Sequence, residues 1–458
     1  MRRVLLIGLD SAPPSLVFDE FKDDLPNLTY MTENGVYGRL RSCDPPITIP
    51  AWMVMATSLN PGRLGLYGFR QRRNRSYTEI TLPSSFSIRA RKIWDYVSDA
   101  GGRVCLVGVP PSYPPFPVNG YLISCLMTPD SRRRFTYPPE LKDEVEKLVG
   151  DYVFDVVFRR EDRDGVLKEI YEMTEKRFKV IKYMVKEKPW DFFMFVEIGL
   201  DRIQHAFWKY FDKKHHLYEP GNKYENVIRD YYKYLDRQIG ELLSLIDEET
   251  VVMVVSDHGA KRMKGAFCIN QWLIKEGYLK LRERPKSVMR LEKAEVDWER
   301  TVAWGWGGYY ARIFINVKGR ESRGVVEPRE YEDVREQLKR DLEKVKGPRG
   351  ESWDTKVYRP EELYPVCNGN PPDLIAYLDD LYWRSAGTIG HDILYLPEND
   401  LGPDDAVHDY DGIFILYDRK SKICGRRDVN IYDVAPTVLK LMGLPVPGYM
   451  EGEALEVS

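Results

Sequence analysis

Residues 191–208 read "DFFMFVEIGLDRIQHAFW". The first half is a continuous apolar run and reads as a buried strand. Past Gly199 the chain turns polar and sets Asp201 and His205 four residues apart. Four residues make about one helical turn, so both side chains point the same way if a helix starts where the strand stops. A carboxylate and an imidazole on one helix face can aim at a single ion. The plainer alternative is an N-cap aspartate followed by a surface histidine.

Similar apolar runs recur along the chain: "RRVLLIG", "GRVCLVGV", "ETVVMVVS", "DLIAYL" and "DGIFILY". Helical periodicity lies between some of them. Ile170, Met173, Phe178, Ile181 and Val185 share one face over 169–188, and Ile228, Tyr231, Leu235, Ile239, Leu242 and Ile246 share one over 226–247. Strands alternating with helices predict an α/β fold, with a mainly parallel central sheet and helices on both faces. In such sheets ligands sit beyond the carboxyl ends of the strands. The stretch 260–403 differs in character, with charged segments such as "RLEKAEVDWER" and the aromatic "WGWGGYYARIFIN". It reads as a cap inserted into the main domain, which divides the chain into a first core part (1–259), the cap (260–403) and a final core part (404–458). The last stretch, "NIYDVAPTVLKLMGLPVPGYMEG", returns to a helix ended by Gly443 and followed by Pro445.

The bulk properties exclude several classes. At 458 residues the chain exceeds one simple core. A hydrophobic fraction of 43% with 30% charged residues is that of a globular protein. A net charge of -3 argues against a general nucleic-acid binder. The six cysteines, at 43, 105, 125, 268, 367 and 424, contain no C-x-x-C pair, which fits a reducing, cytoplasmic setting. The apolar run from Val4 to Leu9 is too short for a signal h-region or a membrane span.

Three of the strands end in metal-ligand residue types. "VLLIGLD" ends at Asp10, "FFMFVEIGLDRIQH" supplies Asp201 and His205, and "VVMVVSDHG" ends at Asp257 and His258. A fourth run, "DGIFILY", is preceded by "DDAVHDY", which holds His408. Singly, each has an ordinary explanation: a strand-end turn, a helix cap or a surface histidine. The coincidence carries weight, because the chain has only six histidines and three of them sit beside a buried strand and an Asp. Carboxylates and imidazoles gathered at one sheet edge call for a cation, zinc or manganese by ligand type. His215 and His216 lie in the charged segment "DKKHHLYEP" and read as solvated, while His391 is a spare candidate. Thr48, in the proline-stiffened "PPITIP" before an apparent buried helix, is a candidate nucleophile near a helix N-terminus that attracts anions; a helix cap is the alternative role. A metal on its hydroxyl would lower the pKa and yield a nucleophile at neutral pH.

The ordered series "LLIGLDS", "ITIPAW" with "TSLNPGRLGLYGF", "GLDRIQHAFW", "VVSDHGA" and "HDYDGIFIL…NIYDVAPTVLKLMGLPVP" resembles the alkaline phosphatase superfamily. Within it, the type I phosphodiesterase/nucleotide pyrophosphatase branch is the most similar. That resemblance implies two divalent ions: one on Asp201, His205 and His408, the other on Asp10, Thr48, Asp257 and His258. It implies in-line attack by Thr48 on a small phosphorylated substrate, nucleotides included, through a covalent intermediate that water cleaves. The chain departs from the branch in two respects. The cap over 260–403 holds no motif that carries over, which leaves the substrate open. Where the branch has an Asn about twenty residues after the nucleophile, the chain reads "YGFRQRRNRSY", which leaves that phosphate contact to Arg70, Gln71, Arg72 or another oxyanion contact. An arginine there suits a more highly charged substrate. The aromatic faces of Trp304, Trp306, Tyr309 and Tyr310 offer stacking for a base or, more ordinarily, core packing. A phosphomonoesterase or phosphoglycerate-mutase-like enzyme of the same superfamily is the rival expectation, and a non-catalytic metal-binding protein is the rival of another class. A sulfatase is disfavoured because "CDPPI" lacks the arginine of C-x-P-x-R.

Overall fold

The structure, a computed structural model, describes residues 1–456. Its centre is a ten-stranded sheet. The principal strands, in chain order, are β1 (Val4–Leu9), β2 (Val36–Arg41), β3 (Val104–Val107), β4 (Gly120–Ile123), β5 (Phe192–Glu197), β6 (Val251–Val255) and β7 (Asp411–Tyr417). In space they run β2-β7-β6-β1-β5-β3-β4, with short edge strands outside β2 and β4. The β6-β1-β5-β3-β4 block is wholly parallel. β7 is antiparallel to both of its neighbours.

The central strands are buried on both faces, which explains their unbroken apolar sequences. Alternate residues feed two cores. Leu5, Ile7, Phe193, Phe195, Val252 and Val254 face the helices Arg163–Glu187, Gly199–Phe211 and Val227–Leu243. Val4, Leu6, Phe192, Met194, Val251 and Met253 face Thr48–Thr57, Ile93–Asp99 and Val434–Leu441. Helices therefore cover both faces, as the alternation of elements predicts. The helix over Arg163–Glu187 begins earlier than its apolar stripe suggests, because the Asp162 side chain caps the Gly165 N–H.

One strand lies elsewhere. "DLIAYL" forms Leu374–Tyr377, which belongs to a separate antiparallel sheet with Ala303–Trp306, Ala311–Ile315 and Lys356–Tyr358. That sheet has a hydrophobic cluster of its own, containing Trp304, Ile313, Phe314, Leu338 and Trp383. Among the described residues no helix is long and apolar enough to cross a membrane.

Candidate active site

The parallel register brings the strand ends together. Leu9 pairs with Glu197 and Gly8 with Val255, so Asp10, the helix at Gly199 and the Ser256–His258 turn all leave the sheet at one edge. The reversed direction of β7 brings His408 there as well: the residues before an antiparallel strand lie where the parallel strands end. His408 is fixed by the pairing of Ala406–Asp409 with Gly259–Arg262, in which it faces Ala260.

A buried network shapes the turn from β5 into the helix Gly199–Phe211. Glu197 pairs with Arg177 at 3.2 Å and accepts the Gly199 N–H at 2.7 Å. Asp201 falls in the first helical turn and caps nothing. On the other side, Gly8 lets Trp52 lie against β1, since a Cβ there would stand 2.5 Å from the indole. The indole N–H then reaches Asp10 Oδ2 at 2.8 Å.

Two clusters result. In one, Asp201 Oδ1 is 3.1 Å from His205 Nε2 and 3.8 Å from His408 Nε2. In the other, His258 Nε2 is 3.6 Å from Asp10 Oδ1 and 3.2 Å from Asp257 Oδ2. Within each set the ligand-type atoms lie within 4.8 Å of one another. Thr48, at the start of its helix, holds Oγ1 3.4 Å from His258 Nε2. The rings of His258 and His408 stack with centroids 3.7 Å apart, so the clusters are contiguous.

All three imidazoles are oriented alike. His258 Nδ1 faces the Gly259 carbonyl at 3.0 Å and His408 Nδ1 the Pro46 carbonyl at 2.9 Å. A carbonyl only accepts, so Nδ1 carries the hydrogen and the Nε2 lone pair points into the cluster. His205 Nδ1 meets the Asp404 carboxylate at 2.7 Å. Four fully buried atoms, Asp10 Oδ1, Asp201 Oδ1, His205 Nε2 and Asp257 Oδ2, have no hydrogen-bond partner. Orphans of this kind are costly, and the clusters hold these four among the buried orphans of the described residues. Divalent cations of the nitrogen- and oxygen-liganded type fit this donor set.

The electrostatics agree. Burial, then the charge of Asp201, pushes Asp10 well above the carboxylate range; burial and Asp10 do the same to Asp257. Burial also raises Asp201, but His205 and Arg202 outweigh it and hold that group well below its ordinary value. Burial lowers His258 to about 4, and lowers His408 with help from His258 and His205. His205 is raised despite its burial, by Tyr309, Asp201 and Asp404. In the cluster of Asp10, Asp257 and His258, carboxylates that resist ionisation beside a neutral imidazole make an environment short of positive charge, whereas Asp201 and His205 compensate each other.

The structure thus gathers Asp10, Thr48, Asp201, His205, Asp257, His258 and His408. It leaves His391 out, bonded to Thr388 Oγ1 at 2.7 Å. His215 departs from expectation. It is buried, its Nε2 on the Asp405 carbonyl and its Nδ1 accepting the Leu217 N–H, because the charged segment folds back onto the turn before His408. Of the three residues in place of the missing Asn, Gln71 bonds the Gly65 carbonyl and Arg72 is buried against Glu321. Only Arg70 lines the cleft that opens onto Thr48, Asp201 and His408, a space of about 530 Å³. Trp304 is core, whereas Trp306 and Tyr309 line the cleft, and Tyr309 stacks on His408 at 4.0 Å.

Little in the sequence pointed to the supporting residues. Asp404 also binds Arg384 at 2.6 Å and Arg159 at 2.8 Å, and Arg202 binds Asp201 Oδ2 at 2.5 Å. Their only signal was adjacency: Asp404 lies in "DDAVHDY" and Arg202 follows Asp201.

Comparison with known proteins bears on this arrangement. The family model for type I phosphodiesterase / nucleotide pyrophosphatase matches residues 4–411. Human ectonucleotide pyrophosphatase/phosphodiesterase 5 superposes with a TM-score of 0.57 at 14% identity, covering 99% of this chain and 97% of that one. The murine protein of the same name, as an inactive threonine-to-alanine variant in complex with AMP, gives 0.56 at 14% identity over 98% and 96% of the two chains. At such identity the likeness speaks for the fold. No curated protein matches the chain.

Proposed function

Because this chain belongs to the type I phosphodiesterase/nucleotide pyrophosphatase family and is a hydrolase of that type, we propose that it cleaves phosphodiester or pyrophosphate bonds with Thr48 as nucleophile and two divalent ions, zinc or manganese. Asp201, His205 and His408 hold one ion; Asp10, Asp257, His258 and Thr48 hold the other. The observation that carries this is the common orientation of the three imidazoles, each with Nδ1 fixed by an acceptor and Nε2 turned toward buried carboxylates.

The chain's own part in the chemistry follows from its geometry. Thr48 Oγ1 attacks phosphorus as the bond to the leaving oxygen breaks, the hydroxyl proton passing to solvent in the cleft. Water then cleaves the resulting phosphoester and restores the threonine hydroxyl. Unpaired N–H groups of the first turn of Thr48–Thr57 favour negative charge beside Thr48. Bound ions supply positive charge that lowers the pKa of the hydroxyl and offsets charge on the attacking and leaving oxygens. Asp404 fixes the tautomer and plane of His205, and Arg202 holds Asp201 Oδ2 so that Oδ1 stays turned to the imidazoles.

A nucleotide-type substrate is supported by the AMP complex of the murine relative. The residues 260–403 act as the cap over the cleft, supported by Trp306 and Tyr309 in its wall. A cytoplasmic setting is supported by six unbonded cysteines. The test is hydrolysis of bis(p-nitrophenyl) phosphate against p-nitrophenyl phosphate by zinc- or manganese-loaded protein. Faster turnover of the diester is the expected result. Turnover of the monoester alone would reassign the enzyme as a phosphomonoesterase.

A further inference from the structure

Gln204 sits on the helix that supplies Asp201 and His205, yet its side chain reaches the turn beside the other cluster. It is fully buried; Nε2 donates to the Ser11 carbonyl at 2.7 Å and Oε1 accepts the Tyr232 hydroxyl at 3.3 Å. A carbonyl only accepts, so the amide nitrogen is the end that faces Ser11. Ser11 follows Asp10 at the end of β1 and is buried at a φ of +69°. That is the left-handed region, where a residue with a Cβ is strained and persists only when its surroundings hold it.

The backbone of Ser11 is engaged on both sides. Its N–H donates to Asp257 Oδ1 at 3.2 Å, and its carbonyl takes the Gln204 amide. The next residue ties the same two turns together: the Ala12 N–H donates to Ser256 Oγ at 2.8 Å, and Ser256 Oγ donates to the His258 carbonyl at 2.7 Å. With Oδ1 of Asp257 taken by Ser11, Oδ2 is the oxygen left to the cluster, 3.2 Å from His258 Nε2 and without a hydrogen-bond partner. Stripped of the Gln204 donor, the Ser11 carbonyl becomes a buried acceptor in a strained residue. Relaxation of that φ would turn the N–H away from Asp257.

We propose that Gln204 is a positioning residue for the cluster of Asp10, Asp257 and His258, acting through Ser11, although its own helix carries residues of the other cluster. The inference rests on the two-ion reading above and adds to it a side chain that acts on the carboxylate of Asp257 through the backbone.

The test is calorimetric titration of the apo protein with manganese, with one cluster disabled at a time. In the His408→Ala background, where Asp10, Asp257 and His258 remain, Gln204→Met should weaken binding by about 10–100-fold, as loss of an outer hydrogen bond at a metal ligand does. In the Asp257→Ala background, where Asp201, His205 and His408 remain, the same change should leave the affinity within about twofold. Ser11→Gly, free to adopt a positive φ, should restore part of the loss in His408→Ala/Gln204→Met. A packing defect would do the reverse, falling first on Asp201 and His205, which share the helix with Gln204. Equal losses in both backgrounds, a larger loss in Asp257→Ala, or no loss in either overturns the proposal. Gln204→Asn, one methylene too short to reach Ser11, gives the same readout should Gln204→Met not fold. Failure of the two-ion reading itself is seen separately, as a wild type that never takes up a second ion.

Discussion

The indole N–H of Trp52 donates to Asp10 Oδ2 at 2.8 Å, leaving Oδ1 of that carboxylate buried without a partner beside His258. A core residue of the helix Thr48–Thr57 thus aims the carboxylate at the end of β1, while the same helix presents Thr48. Trp52→Phe preserves most of the volume and removes the donor. It should weaken metal binding by about 10–100-fold, as loss of a ligand's outer hydrogen bond does elsewhere. Titration of the apo protein with manganese measures this, and an unchanged affinity would detach Trp52 from the site.

Thr48→Ala should fold and bind metal, because one cluster keeps its whole donor set and the other keeps Asp10, Asp257 and His258. Turnover should fall by several orders of magnitude, in kcat rather than in KM alone, since the covalent path is lost. Thr48→Ser should retain measurable activity through the same oxygen. A near-normal kcat in metal-replete Thr48→Ala would falsify the nucleophile assignment and reduce Thr48 to a helix residue.

Elemental analysis of the reconstituted protein should give two ions per chain, one for each cluster. Asp257→Ala should lower that number toward one and abolish activity, and chelation of the wild type should do the same reversibly. A stoichiometry that never exceeds one in the wild type would sink the two-ion arrangement.

His215 stands apart from the three histidines of the two clusters. Its burial, then the neighbouring His216, lowers its pKa to about 4, and its Nδ1 already accepts the Leu217 N–H. Between that value and the unfolded value near 6.5 the unfolded chain binds more protons, so this group adds stability that grows as pH rises through the window and is lost as pH falls. His215→Ala should flatten that part of the pH–stability curve. At neutral pH it should cost roughly 1–3 kcal/mol by leaving the Asp405 carbonyl unpaired. Its kcat should stay far closer to wild type than that of Asp257→Ala. Denaturant titrations at several pH values, with kinetics on both variants, decide it.

The element types, the α/β class and most of the residues that gather in the two clusters were legible in the sequence. Apolar runs followed by Asp10, Asp201 or Asp257 read as interior strands, and the four-residue step from Asp201 to His205 matches one helix face, which the structure bears out. Strand direction and partner choice were not legible. "DGIFILY" and "DLIAYL" have the same local character, yet one runs antiparallel within the central sheet and carries His408 to the ligand edge, while the other joins a separate sheet behind the cleft. The carbonyls of Pro46 and Gly259 that set the imidazole tautomers, the burial of His215, and the meeting of Gln204 with Ser11 also depended on the tertiary structure. Local periodicity is set by which faces of a segment must leave water. Pairing, direction and counter-charge are set by residues hundreds of positions away, and these become neighbours only when the cores close.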